Sequence, residues 1–193
     1  MTRHQLLKQT NAFATFDGLF FGVYFCVGFL CTIKGISSNA LSMLGFLITI
    51  TAPVLGCYFA NRFEKQVRVD GLVKYNRAYL YCSLMYIYAS ILLALFTFIY
   101  FTWLDNGSFA SSYISAYYSA DVQQVVKEYN WDAVLKQEMQ ENGFKNIEEL
   151  IESIKPIDIA SGILNCNITI GLLLALPTAF FARSRHAGTI KIN

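Results

Sequence analysis

The hydrophobic positions of this chain fall into four long runs that polar segments separate. Three of the runs contain no Asp, Glu, Lys or Arg: residues 35–61, 78–104 and 159–182. Each is longer than the ~20 helical residues that cross a hydrocarbon layer about 30 Å thick. Because an ionised side chain near the middle of a bilayer costs at least ~2.5 kcal/mol, runs without one are typical of transmembrane helices. The pattern therefore predicts membrane spans over about residues 41–60, 78–104 and 158–182.

The fourth run, near the N-terminus, is interrupted by one charge. Between residues 9 and 33 the only charged side chain is that of Asp17. We interpret this run as a span over about residues 12–33, with Asp17 near its cytoplasmic end. A cleaved secretory signal peptide is the alternative, since Arg3 and Lys8 precede the run. The length of the run, the carboxyl within it and the lack of a clear small-residue cleavage site favour a retained helix.

The segment between the third and fourth spans, residues 105–157, is too long to be a simple turn. Apolar residues recur there at helical spacing in two stretches, the first ending before Gly143 and the second opening with Asn146 and Glu149 at capping-box spacing. We expect two short helices. The uncharged aromatic stretch at about residues 109–118 is expected on the outer membrane surface or beneath these helices.

Taken together, residues 1–193 are predicted to form a single all-α membrane domain. Its fold is a four-helix transmembrane bundle with a small helical extracytoplasmic insertion between helices three and four. The lipid bilayer is thus the first predicted partner. Basic residues near span ends favour the cytoplasmic side, and an even number of spans places both termini there. The basic residues assigned to that side are Arg3, Lys8, Arg62, Lys65, Arg68, Lys74, Arg77, Arg183, Arg185 and Lys191.

Composition narrows the classes of function. With a formal net charge of +2, the chain lacks the clustered, strongly basic surface that is typical of nucleic-acid-binding proteins. The insertion holds nine acidic residues against four lysines, so its surface is anionic. The two histidines, His4 and His186, lie in the tails, the five cysteines show no C-x-x-C spacing, and no glycine-rich phosphate loop is present. We therefore predict no catalytic site, no metal site and no cofactor.

Polar residues within the spans are the candidate functional residues. Asp17 and Asp158 each fall near the predicted N-terminus of a span, where the helix dipole favours an anion. The fourth span carries Asn165 and Asn167, whose side chains point to different faces and are expected to bond to neighbouring helices. Asp17, Asn165 and Asn167 are the candidate intramembrane polar site, with helix contact as the simpler interpretation.

Small residues recur at four-residue spacing in three of the spans. Such residues let helix backbones approach closely in lipid, where no hydrophobic drive holds helices together. They predict a compact bundle or an oligomer seam. The residues are Gly18, Gly22, Ala52, Gly56, Ala60, Gly171, Ala175 and Ala179.

Several segments resemble a family of small bacterial four-span inner-membrane proteins that is common in Bacteroidetes and has no known function. The likeness rests on the basic link running from Asp70 to Tyr79, the aromatic run from Tyr100 to Trp103, the acidic helical insertion, and the end of the fourth span at Ala182 and Arg183. The resemblance implies a multi-pass protein of the bacterial inner membrane. It implies no activity.

Two classes of function follow from these observations. The first is a non-catalytic interaction or assembly subunit that associates with its own copies or with another membrane protein. The second is a small transporter or channel for an ion or small solute, which requires Asp17 and the asparagines of the fourth span to line one polar path. The absence of a charge in the middle of any span favours the first.

Overall fold

A computed structural model describes residues 2–68 and 73–183, apart from the side chain of Glu138. Residues 70–72 of the basic link, and Arg185, His186 and Lys191 of the C-terminal tail, lie outside the described residues. The described chain contains eight α-helices, one π-helical turn and no strand. The helices are α1 (Arg3–Gly35), α2 (Asn39–Val67), α3 (Tyr75–Ile99), α4 (Ser108–Tyr117), α5 (Ala120–Glu128), α6 (Trp131–Asn142), α7 (Ile147–Ser153) and α8 (Pro156–Ala182), and the π-helical turn Tyr100–Leu104 extends α3.

Four of these helices are long and apolar enough to cross a membrane: α1, α2, α3 with its π-helical turn, and α8. The predicted all-α fold with four membrane-spanning helices is confirmed. Local sequence explains where two of them begin. At the start of α1, Thr2 and Gln5 exchange hydrogen bonds in a capping box, and Pro156 opens α8 at a position where its missing N–H costs nothing.

The ends of the four long helices sort into two groups. The hydroxyl of Tyr75, at the start of α3, donates to the Leu176 carbonyl near the end of α8 at 3.2 Å. At the other end, the Lys34 ammonium lies 5.9 Å from the centre of the Tyr100 ring. The described N-terminus, the end of α2, the start of α3 and Arg183 thus lie together at what we term the basic end. The insertion, α4 to α7, joins the bundle at the opposite end.

The centre of the bundle is α3, which packs against α1 on one side and α8 on the other, while α2 contacts both α1 and α8. Aromatic side chains from three helices fill the space between them. The largest fully buried side chains include Phe21, Phe63, Tyr81, Met85 and Tyr86, and the rings of Phe63 and Tyr81 stack in parallel with centroids 4.0 Å apart.

Small residues occupy the closest helix contacts. All eight that the sequence singled out are buried in the bundle. A Cβ atom added at Gly18 would lie 2.8 Å from the Met85 backbone oxygen, and one added at Gly171 would lie 2.7 Å from the Cβ of Tyr86. At these two points α3 approaches α1 and α8 more closely than any side chain would allow.

The insertion contains more helices than the sequence predicted. The first of the two expected helices is divided into α5 and α6, because Asn130 adopts a left-handed conformation with φ of 54° and breaks the helix. The uncharged aromatic stretch forms an additional helix, α4, which packs against α5 and α7. The expected ends are present: Gly143 terminates α6 with φ of 77°, and Asn146 caps α7 by accepting from the Glu149 N–H.

Replacement of Gly171 by Ala tests the close contact with α3. The new methyl group must displace Tyr86, so we expect the free energy of unfolding to fall by about 1–3 kcal/mol. Gly162→Ala is the matched control, because it lies on the same helix with open space around its Cβ position, and Ala is favoured over Gly in a helix. Thermal unfolding in detergent, followed by circular dichroism, compares the two. Equal melting temperatures would contradict the packing described here.

Candidate functional site

Asp17 lies inside the bundle at the basic end, and its side chain is only 1% exposed. Its Oδ1 accepts from the Arg62 guanidinium at 3.2 Å. Its Oδ2 accepts from the Tyr81 hydroxyl at 2.7 Å. Arg62 belongs to α2 and Tyr81 to α3, so one carboxyl of α1 binds both neighbouring helices.

The position of Asp17 within α1 corrects one part of the sequence analysis. From the sequence we expect the carboxyl near the helix N-terminus, where the dipole stabilises an anion. In the structure α1 begins at Arg3, almost four turns earlier, and the dipole acts only within the first turn. The opposite charge of Arg62 and the Tyr81 hydroxyl take that role. Asp158, in contrast, does lie in the first turn of its helix.

The sequence places these groups on one face of α1. Thr10, Ala14, Asp17 and Phe21 follow one another at intervals of three or four residues, and all four are buried against the other helices. Arg62 is 37% exposed, so its guanidinium contacts Asp17 while part of the side chain remains outside the bundle.

A second arginine continues the polar network towards the end of the bundle. Arg77 of α3 donates from Nε to the Thr10 hydroxyl at 3.1 Å and from a terminal nitrogen to Gln9 Oε1 at 2.7 Å. Its guanidinium also lies 5.7 Å from the centre of the Phe63 ring. Together with Asp17, Arg62 and Tyr81, these residues form what we term the basic-end network. It joins α1, α2 and α3 by polar contacts, and its carboxylate is neutralised within the protein.

The structure does not bring the three candidate polar residues together. The Asn167 amide donates to the Ile163 carbonyl of its own helix at 2.9 Å, so it does not link two helices as the sequence suggested. Asn165 is exposed on the face of α8 that points away from the other helices. Gly171 of α8 contacts Tyr86 of α3. From that contact Asn165 lies six residues towards one end of the bundle and Tyr81 lies five residues towards the other, so their levels are roughly 16 Å apart.

The insertion contains a cleft that the sequence analysis did not identify. Its cavity volume is about 290 Å³, and its walls are apolar. Trp131 and Val134 at its mouth are 54% and 61% exposed. The lining residues, from α4 to α7, are Tyr113, Tyr117, Val122, Val126, Trp131, Val134, Leu135 and Ile147. We term this the aromatic cleft.

Hydrogen bonds around the aromatic cleft fix the relative position of its helices. The Tyr118 hydroxyl, next to the cleft residue Tyr117, donates to Glu148 Oε1 at 2.8 Å and so joins α4 to α7. This hydrogen bond to a carboxylate raises the pKa of Tyr118 above its ordinary value. The Gln123 amide donates to the Tyr117 carbonyl at 2.9 Å and joins α5 to the end of α4. The cleft thus has defined walls on two sides.

Within the described residues, no three His, Cys, Asp or Glu side chains cluster in a way that could hold a metal ion. The basic-end network and the aromatic cleft differ in chemistry. The basic-end network is a set of polar and charged side chains that bond to one another, and the aromatic cleft is an open apolar surface. Only the second leaves large side chains free to contact another molecule.

Asp17→Asn tests the role of the basic-end network in stability. The substitution removes the negative charge that Arg62 and Tyr81 contact. Loss of one partner from a fully buried ion pair costs ~3–5 kcal/mol; since Arg62 can still reach solvent, we expect a smaller loss of about 1–3 kcal/mol. Combining it with Tyr81→Phe should give a non-additive effect, because both variants alter the same contact between residues 17 and 81.

Unfolding in detergent, followed by circular dichroism, measures the free energies of unfolding of the Asp17 and Tyr81 variants. Asp158→Asn is the matched control, since that carboxyl is exposed at the start of α8. It should lower the free energy of unfolding by less than about 1 kcal/mol, because only the favourable contact with the helix dipole is lost. If the two Asp→Asn variants behave alike, the network contributes nothing specific to the bundle.

Comparison with known proteins agrees with the architecture and adds no activity. The family described as a protein of unknown function, DUF4199, matches residues 17–184. This range includes the second half of α1, the whole of α2, α3 and α8, and the whole insertion. Neither a curated protein nor a solved structure matches the chain. The chain is a membrane protein with four spanning helices, and it belongs to the DUF4199 family of unknown function.

Proposed function

We propose that this protein is a non-catalytic assembly subunit of the bacterial inner membrane and that its aromatic cleft binds another protein. The single observation that carries this proposal is the open apolar surface of the insertion. Trp131 and Val134 are more than half exposed at the mouth of the cleft. Such side chains at the edge of a concave apolar surface are typical of interaction sites.

The charge of the insertion points to the kind of partner. Nine acidic residues and four lysines lie between positions 105 and 157. Two of the acidic residues, Asp121 and Asp132, are sequence neighbours of the cleft residues Val122 and Trp131. An amphipathic helix with an apolar face and basic flanks complements both the walls and the surroundings of the cleft. We therefore assign the cleft to a basic amphipathic segment of a partner protein.

The transporter alternative receives less support from the same geometry. It required Asp17 and the asparagines of the fourth span to share one path, yet Asp17 is neutralised by Arg62. Asn165 faces outward. Several hydroxyl groups are buried along α3, including those of Ser90 and Thr97. These two residues are seven positions apart, which is roughly 10 Å of helix and too far for a continuous polar path. The apolar side chain of Leu93 lies between them.

Site-specific crosslinking tests the cleft in the native host. A photoreactive benzoylphenylalanine at position 134 stands at the mouth of the cleft, and the same residue at position 136 points away from it, because two positions differ by about 200° around a helix. We expect a discrete crosslinked product from position 134 alone. Mass spectrometry should identify its partner segment as apolar on one face and net positive.

Two further measurements sharpen this test. Trp131→Ser removes an exposed aromatic wall of the cleft and should reduce the yield at position 134. Raising the salt to 1 M shortens the Debye length to about 3 Å and should also reduce the yield, because it screens the attraction between the acidic insertion and a basic segment. Crosslinks to lipid alone, or to an acidic segment, would exclude the proposed partner.

The orientation in the membrane belongs to the same proposal. Lys and Arg residues gather at the basic end of the bundle, which supports placing that end and both termini in the cytoplasm. The insertion with its cleft would then lie outside the cytoplasm. The proposed partner would be a protein that reaches the outer surface of the inner membrane.

Labelling with a membrane-impermeant maleimide tests this orientation. Gln137→Cys places a thiol on the exposed surface of α6, and Lys65→Cys places one near the exposed end of α2. In spheroplasts we expect the first thiol to react before lysis and the second only after lysis. The unsubstituted protein, with its five cysteines in the spans, measures the background. The reverse pattern would place the termini outside the cytoplasm.

A further inference from the structure

Asn165 occupies an unusual position for a polar side chain. The 27 residues of α8 extend over roughly 40 Å, and Asn165 lies four residues from their midpoint, or about 6 Å along the axis. It therefore falls well inside a hydrocarbon layer about 30 Å thick. In the single chain its side chain is exposed on the surface of the bundle and faces away from the other helices.

A carboxamide facing lipid at this depth has no water and no lipid group to bond with. Leaving such a group without a hydrogen bond is unfavourable, and polar side chains in membranes accordingly turn towards other helices. Asn167, two residues further on, is instead satisfied within its own helix by donating to the Ile163 carbonyl. The Asn165 side chain is exposed and makes no such bond in the described part of the chain, so a partner from outside the bundle would satisfy it.

The residues around Asn165 form a continuous polar face on α8. The face follows the alternating three- and four-residue spacing of a helix seam, and every member is exposed. Its members are Lys155, Asp158, Gly162, Asn165 and Thr169. An atom added at the Cβ position of Gly162 would meet nothing within 4 Å. A second helix has room to approach the backbone there.

We propose that two copies of the chain associate through this face of α8, with the two Asn165 carboxamides hydrogen-bonded to each other across a two-fold axis. A carboxamide carries both donors and acceptors, so it complements an identical group. A two-fold axis brings each residue near it to its own copy. Asn165 is the member of the face best suited to that position.

The charges of the face favour a second copy over a different protein. Lys155 and Asp158 give the face one positive and one negative charge near its aqueous end. Two such faces do not repel each other overall, and each lysine can reach the aspartate of the other copy. A face selected for a strongly charged partner would have an excess of one sign. The aromatic cleft is not involved, so the two proposals stand independently.

Energy transfer between differently labelled copies tests the dimer. Full-length chains carrying a donor or an acceptor fluorescent protein at the N-terminus are reconstituted together into phosphatidylcholine vesicles over a series of protein-to-lipid ratios. We expect transfer above the level of random proximity, with a concentration dependence that fits a monomer–dimer equilibrium. Asn165→Leu should weaken association about five- to tenfold, since two interhelical hydrogen bonds are lost.

Asn167→Leu is the matched control, because it makes the same chemical change two residues away at an amide that already bonds within its own helix. It should alter the dissociation constant by less than twofold. Asn165→Gln keeps the carboxamide and should retain most of the association. Circular dichroism checks that each variant keeps its helical content.

Two results would overturn the dimer. One is a protein that shows only random transfer at every ratio, which would mean that another molecule covers the face. The other is equal association of the Asn165→Leu and Asn167→Leu variants, which would place the contact elsewhere on the surface.

Discussion

The absence of water from the hydrocarbon layer is the constraint from which the rest of this structure follows. A polar group there is stabilised by bonding to the protein itself. Hydroxyl groups within the spans mostly do so by donating to the carbonyl one turn earlier: Thr32 to Gly28, Thr49 to Gly45, Ser90 to Tyr86 and Thr178 to Leu174. Asp17 cannot be satisfied in this way, because a carboxylate needs donors and a helix offers it none in mid-length. It obtains them from α2 and α3, and this requirement fixes how three helices meet.

The same constraint removes the hydrophobic effect as a force between the spans, since lipid tails are as apolar as the side chains. Close contact between backbones takes its place. Gly18 and Gly171 bring α1 and α8 onto opposite sides of α3, and the rings of Phe63 and Tyr81 stack in the space near the basic end. The insertion, in contrast, is not part of the membrane-spanning bundle. Its short helices leave Trp131 and Val134 half exposed, as expected for a surface that another molecule covers.

The sequence was sufficient to predict the four long helices, because the rule that excludes charges from lipid acts on composition and needs no knowledge of contacts. It also predicted the helix ends at Gly143 and Asn146, which depend on neighbouring residues alone. The break at Asn130 was missed, since valines on both sides of it continue the helical spacing. The pairing of Asp17 with Arg62 was missed because the two residues are 45 positions apart. Their opposite charges at one end of the bundle were the available signal. Neither propensity nor spacing indicates that three separate helices enclose one cleft.

The ion pair of Asp17 has a consequence for how the chain enters the bilayer. During synthesis α1 leaves the ribosome before its partners exist, since Arg62 follows 45 residues later and Tyr81 follows 64 residues later. A first helix held alone in lipid would carry a carboxyl group with nothing to bind. Its stable integration therefore depends on α2 and the start of α3, so the N-terminal half of the protein should enter the membrane as a cooperative unit. Biogenesis would proceed by the joint arrival of α1, α2 and the start of α3, and not by one helix at a time.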